Sequence, residues 1–444
     1  MKVAATGAVL SGAVTVPGSK SHTIRACLFA GLANGVSHIR NPLASDDCMS
    51  AVRFISNFGC SVELRDDEWI VHGIGTKWQQ PSFVIDVGNS GTLVSFAAGI
   101  VATIPGYSVI TGDSSICRRP LNDMLQALRQ LGAEAFATRE TVGAPPVIIK
   151  GPIHAGTAQL QGSISQYVSS LLLAAALTEG KTRIEVSAPK EIPFVKMTLD
   201  WLASAGFSVV YDAARFTWYE LSGGNAFAPF DKVMPSDWSG VAFPLVAAVI
   251  SHSEIIINNI DMSQVQGDKA IVAVLQSMGA TIEIDEQHAR LLVHRCGKLH
   301  GVSVSLSDFP DALPALCVAA AYADGDSQFS DIDICRLKET DRVALMHREL
   351  AKLGVSCDEG DDYLVVHGAK GVGIHGGTVE SCGDHRIAMA FAAFGIALPQ
   401  GEKIIINDAE CCAVTFPQFY ETMNQLGAGY ILLESTTAPQ VSGR

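Results

Sequence analysis

The stretch Met124-Leu125-Gln126-Ala127-Leu128-Arg129-Gln130-Leu131-Gly132-Ala133-Glu134-Ala135-Phe136-Ala137 keeps apolar residues at helical spacing up to Leu131, then meets a glycine, then alternates like a strand. A glycine at such a junction ends the helix, because the position after the last turn takes a left-handed backbone that a Cβ disfavours. The same signature occurs six times, as SNFGCSVEL, RQLGAEAFA, ASAGFSVVY, QSMGATIEI, AKLGVSCDE and NQLGAGYIL. Their glycines, Gly59, Gly132, Gly206, Gly279, Gly354 and Gly427, stand 73, 74, 73, 75 and 73 residues apart, so six units account for all 444 residues.

Half a unit from each glycine a polar turn opens a small-residue helix that runs into a β-branched strand. The six are GSKSHTIRACLFAGLANG from Gly18, GNSGTLVSFAAGIVATIPG from Gly88, GSISQYVSSLLLAAALTEG from Gly162, PSDWSGVAFPLVAAVI from Pro235, PDALPALCVAAAYADG from Pro310 and GDHRIAMAFAAFGIA from Gly383. These helices are Ala-rich and apolar nearly all round, which places them inside the protein. Each unit reads helix, strand, helix, strand with a closing strand pair, and the alternation makes the chain an α/β protein. The units divide three and three, into a domain of residues 18–232 and a second of 1–17 with 233–444. The chain then crosses twice, at Val16-Pro17-Gly18 and Val233-Met234-Pro235.

Composition limits the function. Apolar residues make up 48% and charged residues 17%, a globular balance that excludes bulk disorder. Thirty-one Lys and Arg against forty-five Asp and Glu leave a net charge of -14, which repels a nucleic-acid backbone. No apolar run reaches the ~18 residues that a membrane span needs. The eleven cysteines form neither a C-x-x-C pair nor a zinc-spaced cluster, so reduced thiols, a cytoplasmic location and no metal are expected. Met1 to Gly12 alternates like a strand and lacks the unbroken apolar core of a signal peptide.

The polar chemistry gathers where the six buried helices begin: Lys20, Ser21 and Arg25; Asn89, Gly91 and Thr92; Ser165 and Gln166; Ser236 and Asp237; Asp311; Asp384, His385 and Arg386. Ser, Asn and Asp are ordinary helix caps. Lys20, Arg25, His385 and Arg386 are not, since a helix N-terminus carries partial positive charge and disfavours cations. A small, multiply charged anion bound among them removes that conflict. Arg118-Arg119-Pro120 and Arg336-Leu337-Lys338-Glu339-Thr340-Asp341-Arg342 add guanidinium forks suited to phosphate or carboxylate. Glu339 and Arg342 also have the spacing of a helix-surface ion pair. Two other signals carry no weight. The G-x-G-x-x-G match at Gly371 to Gly376 runs into a strand-like Thr378-Val379-Glu380 instead of a helix, and Cys117 has no fixed histidine partner.

Pro17-Gly18-Ser19-Lys20-Ser21 with Arg25, Gly88-Asn89-Ser90-Gly91-Thr92, Arg119-Pro120, Asp311, Lys338 to Arg342 and Asp384-His385-Arg386 closely resemble, in order along the whole chain, the motifs of the 5-enolpyruvylshikimate-3-phosphate synthases. The resemblance implies a two-domain fold of six βαβαββ repeats and transfer of an enolpyruvyl group from phosphoenolpyruvate to the 5-hydroxyl of shikimate 3-phosphate. It implies Asp311, Glu339, Lys20 and His385 as proton-handling groups. Lys20, Ser21, Arg25, Ser163, Ser165, Gln166, Asp311 and Lys338 resemble the family's shikimate 3-phosphate ligands. Lys20, Asn89, Gly91, Thr92, Arg119, Gln166, Arg342 and Arg386 resemble its phosphoenolpyruvate ligands. No cofactor, metal, nucleic acid or membrane is implied, a monomer is expected, and glyphosate is expected to compete with phosphoenolpyruvate. The chain departs from the family at Ser95, Val414 and Ile24, where Arg, Lys and Asn are usual, and at Lys196, where Asp is common; the Ser-rich turn before Gln166 is also one residue short. These departures keep open a different hydroxyl acceptor, such as a UDP-sugar, or a non-catalytic anion-binding protein on the same scaffold.

Overall fold

All six junction glycines have positive φ, between 85 and 105°, in the computed structural model, which describes residues 1–433. Each closes an amphipathic helix. In Asn122–Gln130 the buried residues are Met124, Leu125, Ala127 and Leu128, one stripe facing the core. The six small-residue stretches form the helices Lys20–Leu32, Gly91–Val101, Ser165–Leu177, Trp238–Ile250, Leu313–Ala321 and His385–Ile396. The last of them is buried at every residue. Their small residues permit close approach: a Cβ on Gly99 would lie 2.3 Å from Ser170 Oγ on the neighbouring helix. Ser170 Oγ instead donates 2.6 Å to Ser95 O, satisfying a polar group where no water reaches.

Among the described residues the strands make six four-stranded sheets with one recurring pattern. In one, Thr157–Gln161 runs parallel to Gly180–Ser187, which pairs antiparallel with Trp218–Gly223, itself antiparallel to Val209–Tyr211. Three sheets take a strand from elsewhere in the chain. Asp231–Val233 adds in parallel to Asn34–Arg40, and Ser11–Thr15 adds in parallel to Glu254–Asn258. Lys2–Thr6 lies between Lys403–Asn407 and Ile431–Leu433, antiparallel to both, so the chain start is a strand as its alternation predicts. The segments that leave these strands run beside each other, with Ser19 N donating to Pro235 O at 2.7 Å and Asp237 N to Pro17 O at 2.9 Å. Buried apolar side chains form one cluster from Ile24 to Met234 and another from Val3 to Val16 with Trp238 to Tyr430.

One local expectation, that Pro120 opens the helix that follows it, needs adjustment, and another holds. Pro120 does not begin a helix: residues 116–118 form a 3-10 turn and the helix starts at Asn122. The Gly371 segment leads into the strand Gly377–Glu380, as its β-branched sequel predicts. No helix among the described residues is long and apolar enough to cross a membrane.

Candidate active site

The buried-helix N-termini and the 3-10 turn Asp333–Leu337 bring basic and acidic side chains into one network. Arg342, only 1% exposed, is its centre. Its Nε and Nη2 reach the two oxygens of Asp384 at 2.8 and 3.2 Å, its Nη1 reaches Asp311 at 2.8 Å, and its Nη2 also reaches Glu339 at 2.5 Å. Asp311 accepts Arg386 Nη2 at 3.0 Å on its other oxygen and has Lys338 Nζ 3.8 Å away. Glu339 extends the network to Arg119, 3.3 Å from its second oxygen. Lys20 pairs with Asp47 at 3.1 Å. The Glu339–Arg342 pair is therefore buried inside the site and not a surface pair.

Cations beside helix N-termini call for anions, and this protein supplies its own: Asp47, Asp311, Glu339 and Asp384. Burial works against ionising every member, yet the pairing decides the outcome. For Asp311, burial raises the pKa, but Arg386, Lys338 and Arg342 outweigh it and hold the carboxyl far below the ordinary range. Glu339 is held well down in the same way by Arg342, Arg119 and Lys20. Lys20 is kept protonated because Asp47, Glu339 and Asp311 overcome its burial. His385 goes the other way. Buried and next to Arg386, Lys20 and Arg342, its imidazole is pushed well below its usual value, against the pull of Glu339, and neither ring nitrogen has a hydrogen-bond partner.

Beside the network lies a cavity of about 340 Å³, lined by Gly91, Ser95, Arg119, Ser163, Gln166, Tyr167 and Lys338 among others. Gly91 leaves room there for the Arg119 guanidinium: a Cβ would sit 2.5 Å from its Nη1, which would have to shift. Arg119 Nε is buried with no partner, while its Nη2 donates to Ser115 Oγ at 3.1 Å and lies 3.3 Å from Glu339. Ser21 and Thr92 are half-buried at the starts of their helices.

Three assigned residues are committed elsewhere. Asn89 Nδ2 donates 2.6 Å to Asp113. Arg25 is 1% exposed and donates to Thr198 Oγ1, Ser21 O and Phe194 O at 2.9, 3.1 and 3.2 Å, with its guanidinium 5.1 Å from the Phe96 ring centroid. Lacking a carboxylate, it has its pKa pushed down by burial to about 9. Ser165 is fully buried; its N–H and hydroxyl both donate to Glu191 Oε2, at 3.1 and 2.8 Å. The sequence places these residues at a cleft, but here protein atoms already use their polar groups.

Further residues complete the site. Asp237 accepts Ser239 N at 3.0 Å and Lys20 N at 3.1 Å, so one carboxylate serves two helix N-termini. Asp268, 2% exposed, accepts Ser239 Oγ at 2.6 Å on one oxygen and has the other unpartnered. Burial, with Asp311 and Asp237 nearby, raises its pKa to about 7. Asp237 was visible at the start of a buried helix; Ser239, Asp47, Glu191 and Asp268 belong to no recognisable motif. Where the family has basic residues, Ser95 Oγ bonds its own helix at Gly91 O, 3.2 Å, and Val414 ends a 3-10 turn. Ile24 is fully buried, and Lys196 stacks 5.1 Å from the Phe216 ring centroid. No group of three or more His, Cys, Asp or Glu among the described residues is placed to hold a metal ion.

Comparison with known proteins agrees with the geometry. Residues 4–423 match the family model described as EPSP synthase (3-phosphoshikimate 1-carboxyvinyltransferase). The chain is 40% identical over 418 residues to the 3-phosphoshikimate 1-carboxyvinyltransferase of Ruminiclostridium cellulolyticum, covering 94% of this chain and 96% of that one. It is 38% identical over 422 residues to the protein of the same name from Methanothermobacter thermautotrophicus, with 94% and 96% covered. The solved EPSP synthase of Acinetobacter baumannii superposes with a TM-score of 0.81 at 27% identity, over 98% of this chain and all of that one. The enolpyruvyl transferase NikO of Streptomyces tendae has the same fold, with a TM-score of 0.79 at 18% identity over 97% and 98% of the two chains.

Proposed function

The chain belongs to the EPSP synthase (3-phosphoshikimate 1-carboxyvinyltransferase) family, and we propose that Asp311, Glu339, Lys20 and His385 carry its proton transfers. The reaction moves the enolpyruvyl group of phosphoenolpyruvate to the 5-hydroxyl of shikimate 3-phosphate and releases phosphate, within aromatic amino acid biosynthesis. The 5-oxygen bonds to C2 of phosphoenolpyruvate, its proton leaves, and a proton arrives at C3, which becomes a methyl group. C3 then returns a proton, the C2–O bond to phosphate breaks, and the enol ether is restored. Oxidation states do not change, so the chemistry calls for a base at the hydroxyl and an acid at the methylene and for no redox cofactor.

Asp311 is the base. Its carboxylate is ionised and lies between Lys338, assigned to the acceptor, and Arg386, assigned to phosphoenolpyruvate, which supports a role where the two substrates meet. Glu339 is the group that exchanges a proton with C3. Arg119 and Arg342 hold it ionised. Phosphoenolpyruvate brings its own carboxylate and phosphate to those arginines, and a carboxylate that shares its cations with a new anion takes up a proton more readily. Lys20, kept charged, and His385, kept neutral, flank this exchange. Phosphoenolpyruvate binds through Lys20, Asn89, Gly91, Thr92, Arg119, Gln166, Arg342 and Arg386; Asn89 then gives up Asp113. Shikimate 3-phosphate binds through Lys20, Ser21, Arg25, Ser163, Ser165, Gln166, Asp311 and Lys338. The observation that carries these assignments is the ion network reaching from Arg119 through Glu339 and Arg342 to Asp311 and Arg386.

Residues 18–232 and residues 1–17 with 233–444 act as two bodies that close on the substrates about the paired crossings. Closure excludes water and brings in the electrostatic strength of a dry site. The protein works as a monomer in the cytoplasm. Phosphorus NMR of purified protein with phosphoenolpyruvate and either shikimate 3-phosphate or UDP-N-acetylglucosamine tests the assignment of acceptor. Inorganic phosphate and an enolpyruvyl ether are expected with the shikimate compound alone. Turnover with the UDP-sugar, or with neither, contradicts it. Small-angle scattering adds a check on closure: a profile unchanged by both substrates contradicts the two-body motion.

A further inference from the structure

One buried carboxylate beside the acceptor groups has no part in the proton transfers. Glu191 is 0% exposed and sits at φ +53°, a left-handed conformation that side-chain-bearing residues seldom adopt. Its Oε1 lies 2.7 Å from Lys338 Nζ, and its Oε2 accepts the Ser165 N–H at 3.1 Å and the Ser165 hydroxyl at 2.8 Å. A helix N–H, a hydroxyl and an ammonium that converge on two oxygens are what a phosphate monoester also recruits. The flanking chain is fastened across the cleft as well. Lys190 Nζ meets Asp333 at 2.6 Å, Glu191 N donates to Ser307 O at 3.0 Å, and Ile192 N donates to Asp308 Oδ1 at 3.2 Å.

We propose that Glu191 is an internal competitor for the phosphate of the acceptor: its carboxylate holds Ser165 and Lys338 in the substrate-free protein and leaves them when shikimate 3-phosphate binds. Glu191 thereby sets acceptor affinity. The proposal rests on the assignment of Ser165 and Lys338 to the acceptor. A dianionic phosphate and a carboxylate on the same donors repel each other strongly at low dielectric, so the two occupants exclude one another. The strained backbone of Glu191 gives the segment a reason to move once its side chain is displaced.

Calorimetric titration of the full chain with shikimate 3-phosphate, in the absence of phosphoenolpyruvate, tests this with Glu191→Gln and Ser165→Ala beside the wild type. Glutamine keeps the shape and removes the competing charge, so Glu191→Gln is expected to bind about tenfold tighter, the equivalent of one charge-assisted hydrogen bond no longer displaced. Unchanged or weaker binding by folded Glu191→Gln, with Ser165→Ala weaker than wild type, overturns the competition and leaves the acceptor assignment standing. Affinity unchanged in both variants overturns the assignment and the proposal with it. Hydrogen exchange on the wild-type protein needs no variant to fold. Saturating shikimate 3-phosphate is expected to speed exchange at the Glu191 and Ile192 amides, and slower exchange there contradicts displacement.

Discussion

Arg25 and Arg342 are both 1% exposed, yet one is surrounded by neutral oxygens and the other by three carboxylates. The contrast extends to what surrounds them. Arg25 and Ser165, on the first and third buried helices, meet one carboxylate between them, Glu191 on Ser165, while Lys20 at the start of the first helix is paired with Asp47. Around Arg342, the starts of the last two buried helices bring Asp311 and Asp384 together with Arg386. A cation with neutral partners retains most of its attraction for an incoming anion. A cation already paired gives its substrate a site of fixed geometry, and the substrate then changes the protonation of the partner. The first arrangement suits recognition of the acceptor, the second the proton transfers.

The largest expected difference is in stability. Arg342→Met leaves Asp311, Glu339 and Asp384 short of a shared cation, and breaking such a buried network costs about 3–5 kcal/mol. Arg25→Met removes a charge with no carboxylate to strand, so its cost is expected within about 1 kcal/mol, while shikimate 3-phosphate affinity falls roughly tenfold. Urea unfolding of the two variants measures this, and equal losses break the comparison.

Asp268 sharpens it with pH. Its folded pKa of about 7 stands above the ordinary 3.8, so folding favours its protonated form. The stability this proton supplies is complete below the ordinary value and lost as pH rises through the folded one. Between pH 5 and 8, wild type is expected to lose about 2 kcal/mol relative to Asp268→Asn. Parallel pH dependence of the two urea midpoints contradicts it. A smaller effect is expected at Gly91→Ala, whose methyl must push Arg119 Nη1 from 2.5 Å. The end of a long side chain yields, so the protein folds. The KM for phosphoenolpyruvate is expected to rise about tenfold, and competition by glyphosate to weaken with it. Steady-state kinetics with unchanged KM removes Arg119 from the phosphoenolpyruvate site.

The repeat was legible because a glycine after an amphipathic helix is a local signal, and the observed φ values follow it at all six junctions. Arg386 was legible because a helix N-terminus does not ordinarily accept a cation, and Asp311, Glu339 and Arg342 because they stand in the motifs that resemble the family's. What the motifs hid were the internal counter-charges. Glu191 lies 147 residues from Lys338, and no local pattern announces that pairing. For the same reason Ser165 and Arg25 look like open ligands in sequence and are occupied or covered in the fold. Ser95 and Val414, which stand where basic residues are usual, make no contact that replaces the missing charge.

The division of labour rests on Asp311 acting as a base whose removal leaves the phosphate-binding cations in place. The most direct measurement is Asp311→Ala, with turnover and phosphoenolpyruvate dissociation constant determined on the same preparation. Turnover is expected to fall about a thousandfold, with the dissociation constant within about threefold of wild type or tighter, since Arg342 and Arg386 lose a competing carboxylate. A fall in binding that matches the fall in turnover contradicts the account.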